Sequence, residues 1–469
     1  VLGKSNENRG EAGLMENGLK KKYGLFTAIA MVVGIVIGSG VFFKAEAVLK
    51  ATGGNMPMGI AAWLIVGFIM IVCSYTFATM ATKYEKVNGI VDYAEVTVGK
   101  KYGYYVGWFM ATIYNPTLTS VLAWVSARYT CVLLGWDIAG GSCMAITCFY
   151  LIGNYALNSL SPILAGKFQV TTTVIKLVPL LLMAAAGTVI GISNGMTVQN
   201  FSHAAEAGAG MGGGLFASVV AVAFAYEGWI IATSINAELK DSKKNLPRAL
   251  IWGSLIVVAV YVLYYIGLAG VVPTKTLMEN GEAGAKLAFQ KIFGPIGGSL
   301  IFVFVIISCL GTLNGLMLGC TRGMYSLAVR GSGPVPKAFC QVDPVTNMPG
   351  NSSILGLLLC GFWLLYFYGA VIVANPWFGP FCFDTSELPI ITLYAGYIPI
   401  FVMLMMKEKD LNGFKRFFMP LLAILGCIFM IVAACLAHGM SVVYYLIIFA
   451  VILLVGALFD PYKVSSAQK

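Results

Sequence analysis

After about residue 20 the chain is a succession of long apolar runs joined by short polar connections. Twelve runs can be drawn, at residues 24–50, 58–81, 102–134, 143–160, 170–193, 213–238, 248–272, 296–328, 352–374, 378–406, 417–437 and 441–459. A hydrocarbon layer of roughly 30 Å takes about 20 residues of helix, and only helices or closed barrels satisfy their backbone inside it. The pattern therefore predicts an all-α polytopic membrane protein with 12 transmembrane helices. The fourth run is short, and the tenth contains Asp384, Glu387 and Pro389, so these two are the least regular.

The first run is interrupted where a membrane helix should be continuous, at Gly38-Ser39-Gly40. Two glycines in three residues weaken a helix because their backbone freedom must be removed on folding. A break at mid-bilayer exposes N–H and C=O groups that lipid cannot satisfy, so protein, water or a ligand must supply partners. Taken alone, the stretch fits a ligand site or a small-residue packing face equally well.

Composition narrows the class. The 469 residues have 59% hydrophobic and 11% charged content, against roughly 25% charged in soluble domains. The formal net charge of +10 comes from Lys and Arg in alternate connections: Lys20 to Lys22, Lys83, Lys86, Lys100, Lys101, Lys167, Lys240 to Arg248, Arg330, Lys337 and Lys407 to Arg416. The intervening loops at 135–142, 194–212, 375–377 and 438–440 have none, while 273–295 mixes Lys with Glu. This is the positive-inside pattern, which places both termini in the cytoplasm and reads the charge as topology rather than nucleic-acid binding. No GxxxxGK[ST] loop points to ATP. The 11 Cys lack metal-like spacing, and His203 and His438 fall in predicted outer loops, so neither a metal site, a cofactor nor an enzymatic constellation is expected. Residues 1–19 read as a disordered tail or non-native remnant, and the first run lacks a signal-peptide cleavage pattern.

A second interruption lies in the sixth run, at Phe224-Ala225-Tyr226-Glu227-Gly228-Trp229. A carboxylate at mid-bilayer costs a few kcal/mol unless protonated, paired or hydrated, so Glu227 either bonds the broken backbone or serves substrate or protons. Breaks in spans one and six lie five spans apart, the spacing of two five-helix repeats folded in opposite orientation, at about 24–193 and 213–406. Facing breaks form a receptor for a zwitterion. The N–H groups of Ser39, Gly40 and Val41 open a half-helix and suit a carboxylate. The carbonyls of Phe224, Ala225 and their neighbours suit an ammonium.

These residues carry a resemblance. Gly38-Ser39-Gly40-Val41-Phe42 resembles the GSG(I/V)F motif of the amino acid–polyamine–organocation (APC) superfamily. Phe224 to Trp229 is similar to the FAY(x)GW motif of its L-type amino acid transporter family, and Asn245-Leu246-Pro247-Arg248 to that family's N(I/L)PRA motif, with Pro247 expected in the first turn of helix seven. The likeness spans almost the whole chain from about residue 20 and is greatest to bacterial members. It implies a LeuT-like 5+5 inverted repeat with broken helices 1 and 6, a transporter core over 20–410, and two added spans over 411–469. It further implies that amides of Ser39 and Gly40 take the substrate carboxylate. Carbonyls of Val36, Phe224 and Glu227 would take the α-amino group, with Phe224 as an aromatic gate. Relatives often carry Gly where Glu227 stands, which puts that side chain's role in question. Tyr261, like Gly38, is a possible lining residue, and packing accounts for it equally well.

Lys176 lies inside span five, too deep for easy snorkelling. The family carries a Lys here, where sodium-coupled relatives of the fold hold a cation. It would donate to the carbonyls of the first break and to hydroxyls of span eight, Ser308 or Thr312. The expectation is a sodium-independent exchanger of small neutral L-amino acids such as alanine, serine and cysteine, located in the inner plasma membrane. The alternative is a titrating Lys176 in a proton-coupled symporter. A heavy-chain partner attaches to eukaryotic relatives through a cysteine after helix three. Here only Cys143, at the edge of a short loop, is nearby, and no such partner is expected.

Overall fold

The computed structural model describes residues 23–38, 40–84, 89–202 and 211–462. The tail, Lys20 to Lys22, Ser39, Lys86 and His203 lie outside the described residues.

Twelve helices among the described residues are long and apolar enough to cross a membrane. Span one is two helices, Leu25–Val36 and Gly40–Ala51, separated at Ile37, whose backbone is extended. Span six is likewise divided: an α-helix ends at Ala225 and a 3-10 helix runs over Trp229–Glu238. Gly228 lies between them at φ 97°, a left-handed conformation that a side chain resists. Between spans two and three, Gly89–Thr97 is a short and largely buried helix.

Several boundaries differ from the sequence expectation; span five, for example, starts at Pro162 rather than 170. Helix seven starts at Ser242, so Pro247 lies inside it rather than in its first turn. The tenth span is Leu388–Lys407, not 378–406. Asp384 and Glu387 precede it and Pro389 occupies its first turn, where a missing N–H leaves no bond unmade. His438 is the last residue of span eleven, not a loop residue. Span eight is preceded by a further helix, bent from it at Gly294 (φ 75°) before Pro295.

The two broken spans sit at the centre. Span seven packs along span two and the first half of span one, and span eight along spans three and five. Small residues allow this closeness. A Cβ on Gly267 of span seven would lie 2.2 Å from the Met183 carbonyl of span five. Spans eleven and twelve lie peripherally, and span twelve is the least buried of all.

Candidate functional site

The breaks touch each other through their glycines. A Cβ built on Gly40 would fall 2.4 Å from Ala225 Cα, and one on Gly228 would fall 2.7 Å from Ile35 Cγ2. Neither position accepts a larger residue without moving backbone or core. Between the breaks lies a small cavity lined by Ile35, Val36, Gly38 and Gly40, Phe224 and Glu227, Thr312 and Leu316, and Leu118 and Leu122. The structure thus brings Val36, Gly38, Gly40, Phe224, Glu227 and Thr312 to one cavity. Val41, Ala225, Tyr261 and Ser308 are close by but do not line it.

Leu118 and Leu122 come from span three. They are four residues apart and present one helical face, as thousands of packing leucines do. Nothing in the sequence separates them from ordinary core positions.

The free carbonyls of the first break are satisfied from outside it. Lys176, fully buried, donates from Nζ to Gly34 O at 2.5 Å and to Thr312 Oγ1 at 3.1 Å. Thr312 Oγ1 lies 3.0 Å from Ile37 O, and Ser308 Oγ lies 3.5 Å from Gly38 O. A buried ammonium without acceptors would be costly; here the carbonyl dipoles of an unfinished helix supply them. The Tyr261 hydroxyl lies 2.8 Å from Val36 O and 3.0 Å from Ala225 O, so one group spans both breaks. Each carbonyl has two lone pairs, which leaves Val36 O capacity for a second donor.

The second break carries a side chain of its own. Glu227 is 6% exposed, and its Oε1 accepts a hydrogen bond from the Tyr114 hydroxyl of span three. Its Oε2 has no hydrogen-bond partner among the described residues, and the residue lines the cavity.

Charged groups pair on either side of these breaks. On one side Lys44 donates to Glu387 Oε1 at 2.7 Å, His438 Nε2 lies 2.9 Å from Glu387 Oε2, and the Lys44 ammonium stands 5.4 Å above the Phe224 ring. Histidine 438 and Glu387 are distant in sequence, and no local pattern links them. On the side of the basic connections, Arg330 bonds Asp92 and Glu95, and Lys83 bonds Glu408 and Asp410. Burial and a hydrogen bond to Glu408 push the Tyr84 hydroxyl up to about 12. Cys143 is buried within span four. Among the described residues no group of His, Cys, Asp and Glu is arranged to hold a metal.

With this geometry in hand, known proteins are informative. A family model described as amino acid permease matches residues 23–458. The serine/threonine exchanger SteT of Bacillus subtilis is 31% identical over 433 residues, covering 91% of this chain and 94% of its own. The human b(0,+)-type amino acid transporter 1 is 26% identical over 380 residues, 76% of this chain and 75% of its own. Among solved structures, MhsT in complex with L-phenylalanine superposes with a TM-score of 0.61 at 13% identity, covering 90% of this chain and all of that one. At that identity the likeness concerns the fold: LeuT-like, with broken helices one and six.

Proposed function

The chain belongs to the amino acid permease family of the APC superfamily, and from that premise we propose that it is a sodium-independent exchanger of small neutral L-amino acids. It is a multi-pass membrane transporter, not an enzyme. In the proposed cycle the substrate carboxylate meets the first-turn N–H groups of Ser39, Gly40 and Val41, where the half-helix dipole is positive. The α-ammonium meets the carbonyls of Val36, Phe224 and Glu227. Phe224 closes over the bound molecule as a gate, and alternate opening toward either face carries it across.

The observation that carries the reading is Lys176. Its ammonium lies on Gly34 O and Thr312 Oγ1, so a fixed positive charge stands between spans one, five and eight. A sodium ion brought there would meet charge repulsion at short range in a medium of low dielectric. Exchange, rather than uniport, follows if the empty cavity leaves the first-turn N–H groups of the second half-helix without partners and the carrier reorients slowly for that reason. Leu118, Leu122 and Glu227 line the cavity, and in the proposal they restrict it to small side chains such as those of alanine, serine and cysteine. The basic connections support cytoplasmic termini in an inner plasma membrane. A heavy chain joined through a cysteine is not part of the proposal, since Cys143 is buried.

One observation favours a second reading, proton-coupled symport: the Glu227 carboxylate faces the cavity with one oxygen unpartnered. Proteoliposomes separate the two. Exchange predicts that radiolabelled alanine enters only vesicles preloaded with amino acid, with or without sodium, and that Glu227→Gln leaves this behaviour in place. Uptake into empty vesicles driven by an imposed pH gradient, and lost in Glu227→Gln, would establish symport instead.

A further inference from the structure

The lining of the cavity between the breaks is mostly apolar: Ile35, Val36, Leu118, Leu122, Phe224 and Leu316 carry no polar side-chain atom. Among the described residues its only polar side chains are those of Thr312 and Glu227. Thr312 is already engaged, with Lys176 Nζ at 3.1 Å and Ile37 O at 3.0 Å from its hydroxyl. Glu227, 6% exposed, is engaged through one oxygen only. Its Oε1 accepts from the Tyr114 hydroxyl, and its Oε2 has no hydrogen-bond partner among the described residues.

Span three fixes where that carboxyl stands. Its helix widens into a single π-turn over Met110–Tyr114 and resumes with Pro116 in its first turn; such turns are frequent at functional sites. From there Tyr114, Leu118 and Leu122 follow at intervals of four residues and share one helical face. The face that brings two leucines to the cavity therefore also brings the fully buried Tyr114 to Glu227. The left-handed turn at Gly228 holds the other end, next to Glu227 in the chain. A carboxyl anchored at both its backbone and one oxygen offers the second oxygen at a constant place. An unpaired oxygen in apolar surroundings is costly, so a ligand able to pair it is favoured over one that cannot. Sites built around such a group reject an isostere that lacks the partner far more strongly than apolar pockets discriminate by size.

We infer that Glu227 Oε2 is a specificity-determining contact for the side chain of the substrate, and that among small neutral amino acids it selects those with a β-hydroxyl over those with a methyl group. The inference rests on the transport reading above, with the substrate's own carboxylate and ammonium on the two breaks. A hydroxyl both donates and accepts, so it pairs with this carboxyl whether the carboxyl is ionised or protonated. The contact therefore holds for exchange and for proton-coupled symport alike. A methyl group leaves the oxygen unpaired, and a thiol is a weak donor. Tyr114 acts through Glu227 and is a positioning residue.

The test is competition against radiolabelled alanine uptake in proteoliposomes loaded with amino acid. L-Serine and L-2-aminobutyrate have side chains of the same shape and differ by hydroxyl against methyl. In the unaltered protein serine should compete at a concentration roughly tenfold below that of 2-aminobutyrate, the worth of one hydrogen bond to a buried polar group. Glu227→Gln keeps an acceptor and should keep a preference of a few-fold. Glu227→Ala removes the acceptor and should bring the ratio to about one. Tyr114→Phe releases the anchor and should fall between the two. The ratio separates this role from a merely structural one, since looser packing weakens both competitors alike. A ratio near one in the unaltered protein, or a ratio that survives Glu227→Ala, would overturn the contact. So would an equal weakening of both competitors in Glu227→Ala, which would put the oxygen on the α-ammonium. If Glu227→Ala shows no uptake, the ratio in Tyr114→Phe decides, and an unchanged one overturns the contact. Absence of alanine uptake by the unaltered chain would overturn the transport reading itself.

Discussion

At the break in span one the described partners of the backbone come from other spans, whereas the break in span six also brings a carboxylate of its own. At the first, Gly38 and Gly40 leave bare backbone, and partners arrive from elsewhere: Lys176 from span five, Thr312 and Ser308 from span eight, Tyr261 from span seven. At the second, Gly228 supplies the left-handed turn while Glu227, one residue before it, reaches Tyr114 and the cavity. The difference assigns different tasks. A break closed by neighbours is held by four helices at once, so its geometry is tied to their relative positions. The second break is tied to span three through the bond from Tyr114 to Glu227 and to span seven through the bond from Tyr261 to Ala225 O.

Three substitutions probe this contrast, in descending order of effect. Gly40→Leu should abolish uptake, because even its Cβ would meet Ala225 Cα at 2.4 Å and push the breaks apart. Uptake assays with a size-exclusion profile in detergent check this, and retained transport by a monodisperse protein would return the stretch to simple packing. Lys176→Met should lower uptake about tenfold or more and destabilise the protein by roughly 2 kcal/mol, the scale of hydrogen bonds to a charged group. It should also leave sodium without effect, since methionine offers no ligand. A drop in thermal midpoint with no change in transport would show that the lysine serves the fold alone. Tyr261→Phe should cost least, about 1 kcal/mol for a neutral hydrogen bond, and raise the half-saturating substrate concentration a few-fold. An effect as large as that of Lys176→Met would mean that the bridge between the breaks, not the lysine, dominates the first one.

Both breaks were legible in the sequence because glycine within an apolar run is a local signal: it alters the backbone where it stands. Lys176 was legible for a similar reason, since a charge in a membrane span requires a partner wherever that partner lies. Other features had no local mark. Tyr261 sits in an apolar helix, and a tyrosine that bridges two breaks has the same neighbours in sequence as one that merely packs. Leu118 and Leu122 line the cavity through the placement of span three. The start of span ten was misjudged because apolar content continues from 378 through the 3-10 turn at Gly379–Phe381, although the helix begins only at Leu388. His438 looked like a loop residue until the end of span eleven brought it to Glu387.

The sequence by itself determined that twelve stretches of this chain are long and apolar enough to cross a membrane, and where two helices break. Those properties depend on composition and backbone preference within a few tens of residues, and a bilayer enforces them segment by segment. Tertiary structure alone decided which groups answer the broken backbone and which side chains line the cavity. Hydrogen bonds act over about 3 Å, and groups that make them here, such as Lys44 and Glu387, stand 343 residues apart along the chain.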